Sequence, residues 1–192
     1  MVLFAIYNVM FINIITPCTR LDNLYLIQQS INIPKDHYRW IIVVDTNKIS
    51  FQTVPNLSKN TEIFYCSNKN SVYGNAQRNY GISKVKFGHV YFNDDDTTIH
   101  PKLWENICDL DRYDFIWFKQ LWNNGNIRLS SKQVKLNYID SHNFLVSYDI
   151  CQNLEWKLNR RDADGLFAEQ CFKNSTNSIF IDKFLSVYNS IV

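Results

Sequence analysis

Gly88-His-Val-Tyr-Phe-Asn-Asp-Asp-Asp-Thr-Thr-Ile-His-Pro-Lys-Leu-Trp-Glu105 is the stretch on which the fold turns. An apolar run at residues 90–92 stops at Asp94, Asp95 and Asp96, and Pro101 then opens a helical segment. Three adjacent carboxylates repel one another and resist desolvation. Either a cation shares them or water solvates them. Working outward, the same strand–turn–helix rhythm recurs. Residues 11–15 are apolar and end at the turn Thr16-Pro17. Leu21, Leu24, Tyr25, Ile27 and Ile31 have helical spacing. Residues 40–44 form a continuous apolar strand closed by Asp45, residues 62–66 another strand, and residues 74–84 and 101–110 two helices. Strands that are apolar throughout, alternating with helices, predict an open α/β sheet covered on both faces. After Asp114 the pattern changes to short strands at 115–118, 127–129, 134–138 and 144–146, a helix at 164–172 and a late strand at 179–181. The expected architecture is a mixed sheet in one domain, 1–192, with a nucleotide-binding half (1–112) and an acceptor-binding half (113–192).

Composition narrows the class. With 192 residues, 46% hydrophobic and 20% charged, the chain suits one globular domain with a proper core. A net charge of +2 gives no reason to expect a nucleic-acid partner. Five glycines and four prolines leave no room for long linkers. Cys18, Cys66, Cys108, Cys151 and Cys171 are scattered, odd in number and never paired as CxxC, which argues against a zinc site or a disulfide framework. The start, MVLFAIYNVMFINIITP, carries no basic segment, is interrupted by Asn8 and Asn13, and is short for a membrane span. A soluble protein without a membrane span is expected.

In open α/β sheets ligands sit beyond the carboxyl ends of the strands. Asp45 and the triplet both lie at such ends. Asp-x-Asp there can offer carboxylates to Mg²⁺ or Mn²⁺, which would neutralise a leaving diphosphate; the plainer reading is a solvated acidic turn. Gly74-Asn-Ala-Gln-Arg78 opens a helix, so Arg78 either meets a phosphate near the helix N-terminus or is an ordinary exposed arginine.

Four segments in one order carry a resemblance: Thr16-Pro17; Trp40-Ile-Ile-Val-Val-Asp45; Gln77-Arg78-Asn79; and Gly88-His-Val-Tyr-Phe-Asn-Asp-Asp-Asp96, running on to Leu103-Trp104-Glu105. Over about residues 11–118 the chain resembles the β-glucuronyltransferases of the GT-A glycosyltransferase fold. Their pattern runs TPT, W-I-x-V-x-D, Q-R-N and VYFADDDNTYS with an L-F-E helix. The resemblance implies a GT-A (Rossmann-like) open sheet and an inverting, Mn²⁺- or Mg²⁺-dependent transfer from a UDP-sugar donor to the hydroxyl of a glycan or glycoconjugate. It implies that Asp45 reads uracil, Arg78 contacts the nucleotide, Asp96 is the main metal ligand with Asp94 beside it, and Asp94 and Asp95 line the ribose and sugar. Thr16, Pro17 and Thr19 fall in the nucleotide site. Thr19 stands where the family has a tyrosine stacked on uracil, and Tyr73 where it has a second arginine.

An inverting transferase needs a base for the acceptor hydroxyl. Matching the apolar spacing of residues 160–169 to the family's segment puts Asp164 there, with Asp162 as runner-up; the competing role is a helix N-cap. Residues 139–144 resemble the family's I-D-M-A-G-F, which places Asp140 at the donor sugar or acceptor; His142 is open to a contact with donor sugar or acceptor or to the structural role that a lone histidine more often has. Trp122 and Trp156 are open to sugar stacking or to core packing. The family's Trp-His-Thr-Arg segment has no counterpart in residues 179–192, so glucuronic acid is not carried over as donor. A compact cytoplasmic transferase of microbial or viral origin fits the composition. Two alternatives stand. A sugar-nucleotide pyrophosphorylase-like enzyme carries a glycine-rich N-terminal loop, and residues 14–20 contain no glycine. A non-catalytic nucleotide-sugar or glycan-binding module would explain the missing segment.

Overall fold

The structure, a computed structural model, describes residues 9–49 and 55–191. Residues 1–8, which open the segment tested above for targeting, lie outside the described residues. Among those described, no helix is long and apolar enough to cross a membrane.

Eight strands form one mixed sheet. They are β1 (Ile12–Cys18), β2 (Tyr38–Asp45), β3 (Thr61–Cys66), β4 (His89–Phe92), β5 (Phe115–Trp122), β6 (Ile127–Leu129), β7 (Phe144–Ser147) and β8 (Ser178–Tyr188). The order is β3-β2-β1-β4-β7-β5-β6, with β8 also on β5. β1 to β4 are mutually parallel, β7 turns antiparallel to β4, and β5 is antiparallel to β7 but parallel to β8. The helices are α1 (Leu24–Ser30), α2 (Asn75–Ile82), α3 (Leu103–Ile107), α4 (Tyr148–Cys151) and α5 (Ala163–Asn174).

The apolar strands divide their side chains between two cores, as the two-residue period of a strand requires. Ile12, Ile14, Trp40, Ile42, Tyr91, Ile116 and Leu145 share one core with Leu24 and Ile27 of α1 and Leu103 and Ile107 of α3. Ile15, Ile41, Val43, Val90, Phe92, Phe115 and Phe144 share the other with Ile82 of α2, Cys151 of α4, and Phe167 and Cys171 of α5. This is why the strands read as continuously apolar: both faces are covered.

Four local expectations are corrected. Thr16-Pro17 is no turn, since β1 continues to Cys18. The carbonyls of Phe11 and Ile15 face β4, accepting from His89 and Asn93, so Pro17 faces that side too. β4 ends at Phe92, so the missing N–H of Pro17 deprives no partner. Residues 134–138 form no strand: Asn137 has φ +68°, and Tyr138 N–H donates to Lys135 O, which makes a turn. The late strand is eleven residues long, not three, because β5 offers it a full parallel edge. The helix after Pro101 is shorter than expected, spanning Leu103–Ile107.

Gly88 lies just ahead of β4 with φ +84°, and a Cβ there would lie 2.6 Å from the Phe11 carbonyl oxygen. Neither the backbone angle nor the space admits a side chain. Gly88→Ala is expected to cost about 2 kcal/mol. The measurement is urea unfolding, and an unchanged midpoint would refute it.

Candidate functional site

The carboxyl ends of β1, β2 and β4 open on a cleft of about 400 Å³. Of the residues expected at a site, Pro17, Thr19, Asp45, Arg78, Asp94, Asp95, Asp96, Asp140 and Asp164 line it. Thr16 and His142 do not, and both are fully buried.

The three carboxylates of the triplet are held differently, although Arg20 Nη1 is shared by Asp95 Oδ1, at 2.8 Å, and Asp96. Asp95 is a clamp: its Oδ2 accepts from Thr19 N, Thr19 Oγ1 (3.0 Å) and Arg20 N (2.8 Å), tying the end of β1 to the triplet. Burial raises its carboxyl above the ordinary value, against these donors. Asp94 is the partner of Arg78, whose Nη2 bonds its Oδ1, while His142 Nε2 lies 3.1 Å from Oδ2. Burial alone would raise the Asp94 carboxyl, but Arg78 and His142 hold it well below the usual carboxylate range. Asp96 is the least engaged: exposed Arg20 reaches its Oδ2 at 2.7 Å and the Thr97 hydroxyl its Oδ1 at 3.2 Å. Among the described residues no three His, Cys, Asp or Glu side chains converge as a metal cage.

Arg78 stands in the first turn of α2 behind Gly74, which has φ +77° and sits against Pro17. It is buried, its Nη1 donates to Tyr73 O at 2.6 Å, and its guanidinium lies 4.6 Å over the Trp156 ring. Its Nε and Gln77 Nε2 are buried and without partners among the described residues, and both residues border the cleft, as Asn75 of the same turn does. An exposed surface arginine is therefore excluded. Trp156, closed in by Arg78 and stacked on Phe167 at 4.8 Å, is a core residue and not a sugar platform. Trp122 is 42% exposed beside Tyr188.

Of the two roles open to His142, the structural one holds: it is buried and braces the triplet from beneath. Asp140 caps the turn of residues 141–143 by accepting from His142 N at 3.1 Å, which tucks the imidazole inward between Asp94 and Asp140. Burial disfavours its protonated form, but Asp94 and then Asp140 raise its pKa above the usual value. Asp140 is also paired with Arg128 Nη2 at 2.8 Å. Thr16 Oγ1 accepts from Trp40 Nε1 at 2.9 Å, so it joins β1 to β2 and does not reach the cleft.

Asp164 is the second residue of α5, so it is not the N-cap, a position held by Asp162. Its Oδ1 accepts from Gly165 N at 2.8 Å. Burial, then the nearby Asp140, push its carboxyl up to about 6. Asp162 points elsewhere: both its oxygens meet Arg160, at 2.7 and 2.6 Å, and it does not border the cleft. Cys18 also lines the cleft, but burial, then Asp95, push its thiol up to about 12, so it stays protonated and inert.

Sequence reasoning passed over Arg20, Lys48, Arg128, Arg161 and Tyr188, all in the lining. Arg20 had a local signal, standing two residues beyond a strand end. Tyr188 had none. It arrives because β8 follows β5 to its end, after which Ser190 Oγ meets Thr98 N at 2.7 Å and Ile191 N–H donates to Asp96 O at 2.9 Å.

No family model matches the chain, and no curated protein matches it in sequence. Solved structures do. Residues 1–349 of S. aureus TarS superpose with a TM-score of 0.67 at 16% identity, covering 93% of this chain and 60% of that one. The same segment in complex with UDP-GlcNAc gives a TM-score of 0.68 at 15% identity, over 93% and 58%. Its complex with UDP gives 0.67 at 15% identity, over 93% and 60%. The fold is shared with TarS. The chain spans less than two thirds of the TarS segment it matches.

Proposed function

We propose that the protein is a metal-dependent, inverting glycosyltransferase that takes a sugar from a UDP-sugar. One observation carries the reading. At the carboxyl ends of parallel strands, a buried arginine and a lightly engaged aspartate share a cleft with a half-buried carboxyl raised to about 6. That combination suits a diphosphate at one end and proton transfer at the other. The fold shared with TarS, which has been solved with UDP and with UDP-GlcNAc, supports a uridine nucleotide sugar as donor.

In this reading Asp45 accepts a hydrogen bond from the base, and Arg78, fixed by Asp94 and Tyr73 O, faces the diphosphate. Asp96 fits a single-carboxylate ligand of Mn²⁺ or Mg²⁺, with phosphate oxygens and water completing the shell. Asp94 fits less well, because the buried Arg78 and His142 hold its carboxylate, whereas the Asp96 carboxylate meets only the exposed Arg20 and the Thr97 hydroxyl. The ion, when bound, would offset charge on the departing diphosphate. Asp164 takes the proton of the acceptor hydroxyl as that oxygen bonds the anomeric carbon and the bond to the diphosphate breaks, so the configuration inverts.

Calorimetry of UDP with Mn²⁺ and with chelator tests this. Mn²⁺ is expected to tighten UDP binding by about tenfold or more, about 1.4 kcal/mol or more. Asp96→Asn is expected to abolish that gain without changing the metal-free affinity. Equal affinities in the wild type would remove the metal; no UDP binding at all would remove the reading.

A further inference from the structure

The cleft is lined mainly by charged and polar groups, yet one large aromatic ring stands open in it. Tyr73 borders the cleft and is 59% exposed. Its φ of +54° is left-handed, an outlier for a bulky side chain. Such a conformation persists only where the surroundings over-determine it, and it concentrates at ligand sites. Here they do. Val72 N–H donates to Leu158 O at 2.9 Å, and Arg78 Nη1 holds Tyr73 O at 2.6 Å. Asn75 Nδ2 donates to Lys157 O and Arg160 O, both at 2.9 Å. Gly74 has no room to move, since even a Cβ on it would lie 2.7 Å from Pro17 Cβ.

The other aromatic rings of the lining are taken. Arg128 covers Tyr188 at 3.9 Å, and Arg78 and Phe167 enclose Trp156. Among the described residues, Tyr73 is the aromatic face of this cleft left for a ligand. It also stands at the β1–β2 end. Gly74 abuts Pro17, whose partner across the ladder is Val43, two residues before Asp45. Asp45 is 8% exposed, and of its two carboxylate oxygens only Oδ1 receives a hydrogen bond among the described residues, from Asn47 N at 3.0 Å. The same cleft thus offers a carboxylate acceptor to the N–H edge of a flat ligand and an open ring to its face.

We propose that Tyr73 is the stacking platform for the base of the nucleotide donor, held in place by its left-handed backbone and by Arg78. The inference rests on the nucleotide-sugar reading. The same arginine that faces the diphosphate thereby positions the base platform, which links the two ends of the nucleotide through one side chain.

Calorimetry with UDP and with inorganic pyrophosphate, both with Mn²⁺, separates the contributions. Tyr73→Ala is expected to weaken UDP about tenfold or more while leaving pyrophosphate unchanged. Tyr73→Phe keeps wild-type affinity for both, and Tyr73→Gly, suited to the backbone angle, stays folded and loses UDP to the same extent as the alanine variant. Tyr73→Ala binding UDP as the wild type does would overturn the proposal, and so would equal weakening of UDP and pyrophosphate. A wild-type protein that binds neither ligand would overturn the nucleotide-sugar reading itself, and the platform with it.

Discussion

Replacing Asp164 by asparagine is expected to lower turnover by about 10²–10⁴-fold while leaving UDP affinity unchanged. The asparagine keeps the shape and the hydrogen bond to Gly165 N but cannot take a proton. The wild-type rate is expected to climb with pH and level off above about 6, because a base works deprotonated and burial, with Asp140 beside it, sets that value. The residual rate of the variant loses this limb. Stability moves the other way. A carboxyl raised in the folded state favours folding while protonated, and that contribution is lost as the pH rises from the unfolded value of about 3.9 to about 6. The asparagine protein should therefore be more stable than the wild type at pH 7.5, with the gap closing towards pH 4. Kinetics, calorimetry and urea melts at both pH values check the three parts. Normal turnover would remove Asp164 as the base; a variant less stable at pH 7.5 would mean its carboxyl is not raised.

Arg78→Ala is expected to destabilise the protein by about 3 kcal/mol and to abolish measurable nucleotide binding. The loss is large because Asp94 is left behind. Its carboxylate keeps only His142 as a partner, in a place where burial disfavours charge. The hold on Tyr73 O and the contact over Trp156 go as well. Paired, Asp94 contributes stability that is present above the unfolded carboxylate value and lost as the pH falls towards its depressed folded one. Unpaired, it gains by protonation. The stability gap between wild type and variant should therefore narrow on acidification. Arg78→Lys should fall between the two, since an ammonium cannot bridge Asp94 and Tyr73 O while lying flat on an indole. Denaturant melts of the three proteins decide it. A melt of Arg78→Ala that matches the wild type at pH 7 would show that the pair contributes nothing.

Much of this was legible locally. A strand covered on both faces must be apolar at every position, so β1, β2 and β4 declared themselves; β2 ended at Asp45 and β4 just short of the triplet, while β1 ran one residue past Pro17. That placed Asp45, Arg78 and the triplet at one edge of a sheet before any pairing was known. The roles within the triplet were not legible, because they depend on what each oxygen meets. Asp95 meets Thr19 and Arg20, and Asp94 meets Arg78 and His142. His142 was open to a ligand or a structural role and is a brace, since a capping turn rotates it inward. Residues 134–138 have strand composition, yet Leu136 lies against Gly165 at the start of α5, and Asn137 reverses the chain.

The sequence by itself determined the alternating scaffold and the sheet edge on which the cleft opens, because periodicity and strand ends are written in neighbouring residues. Only the tertiary structure decided which carboxylate of the triplet is least engaged, that Arg128 and Tyr188 line the cleft, and that Tyr73 stands open. Those outcomes rest on partners as distant as β5 and β8, and on burial and charge pairing that exist only once the sheet has formed.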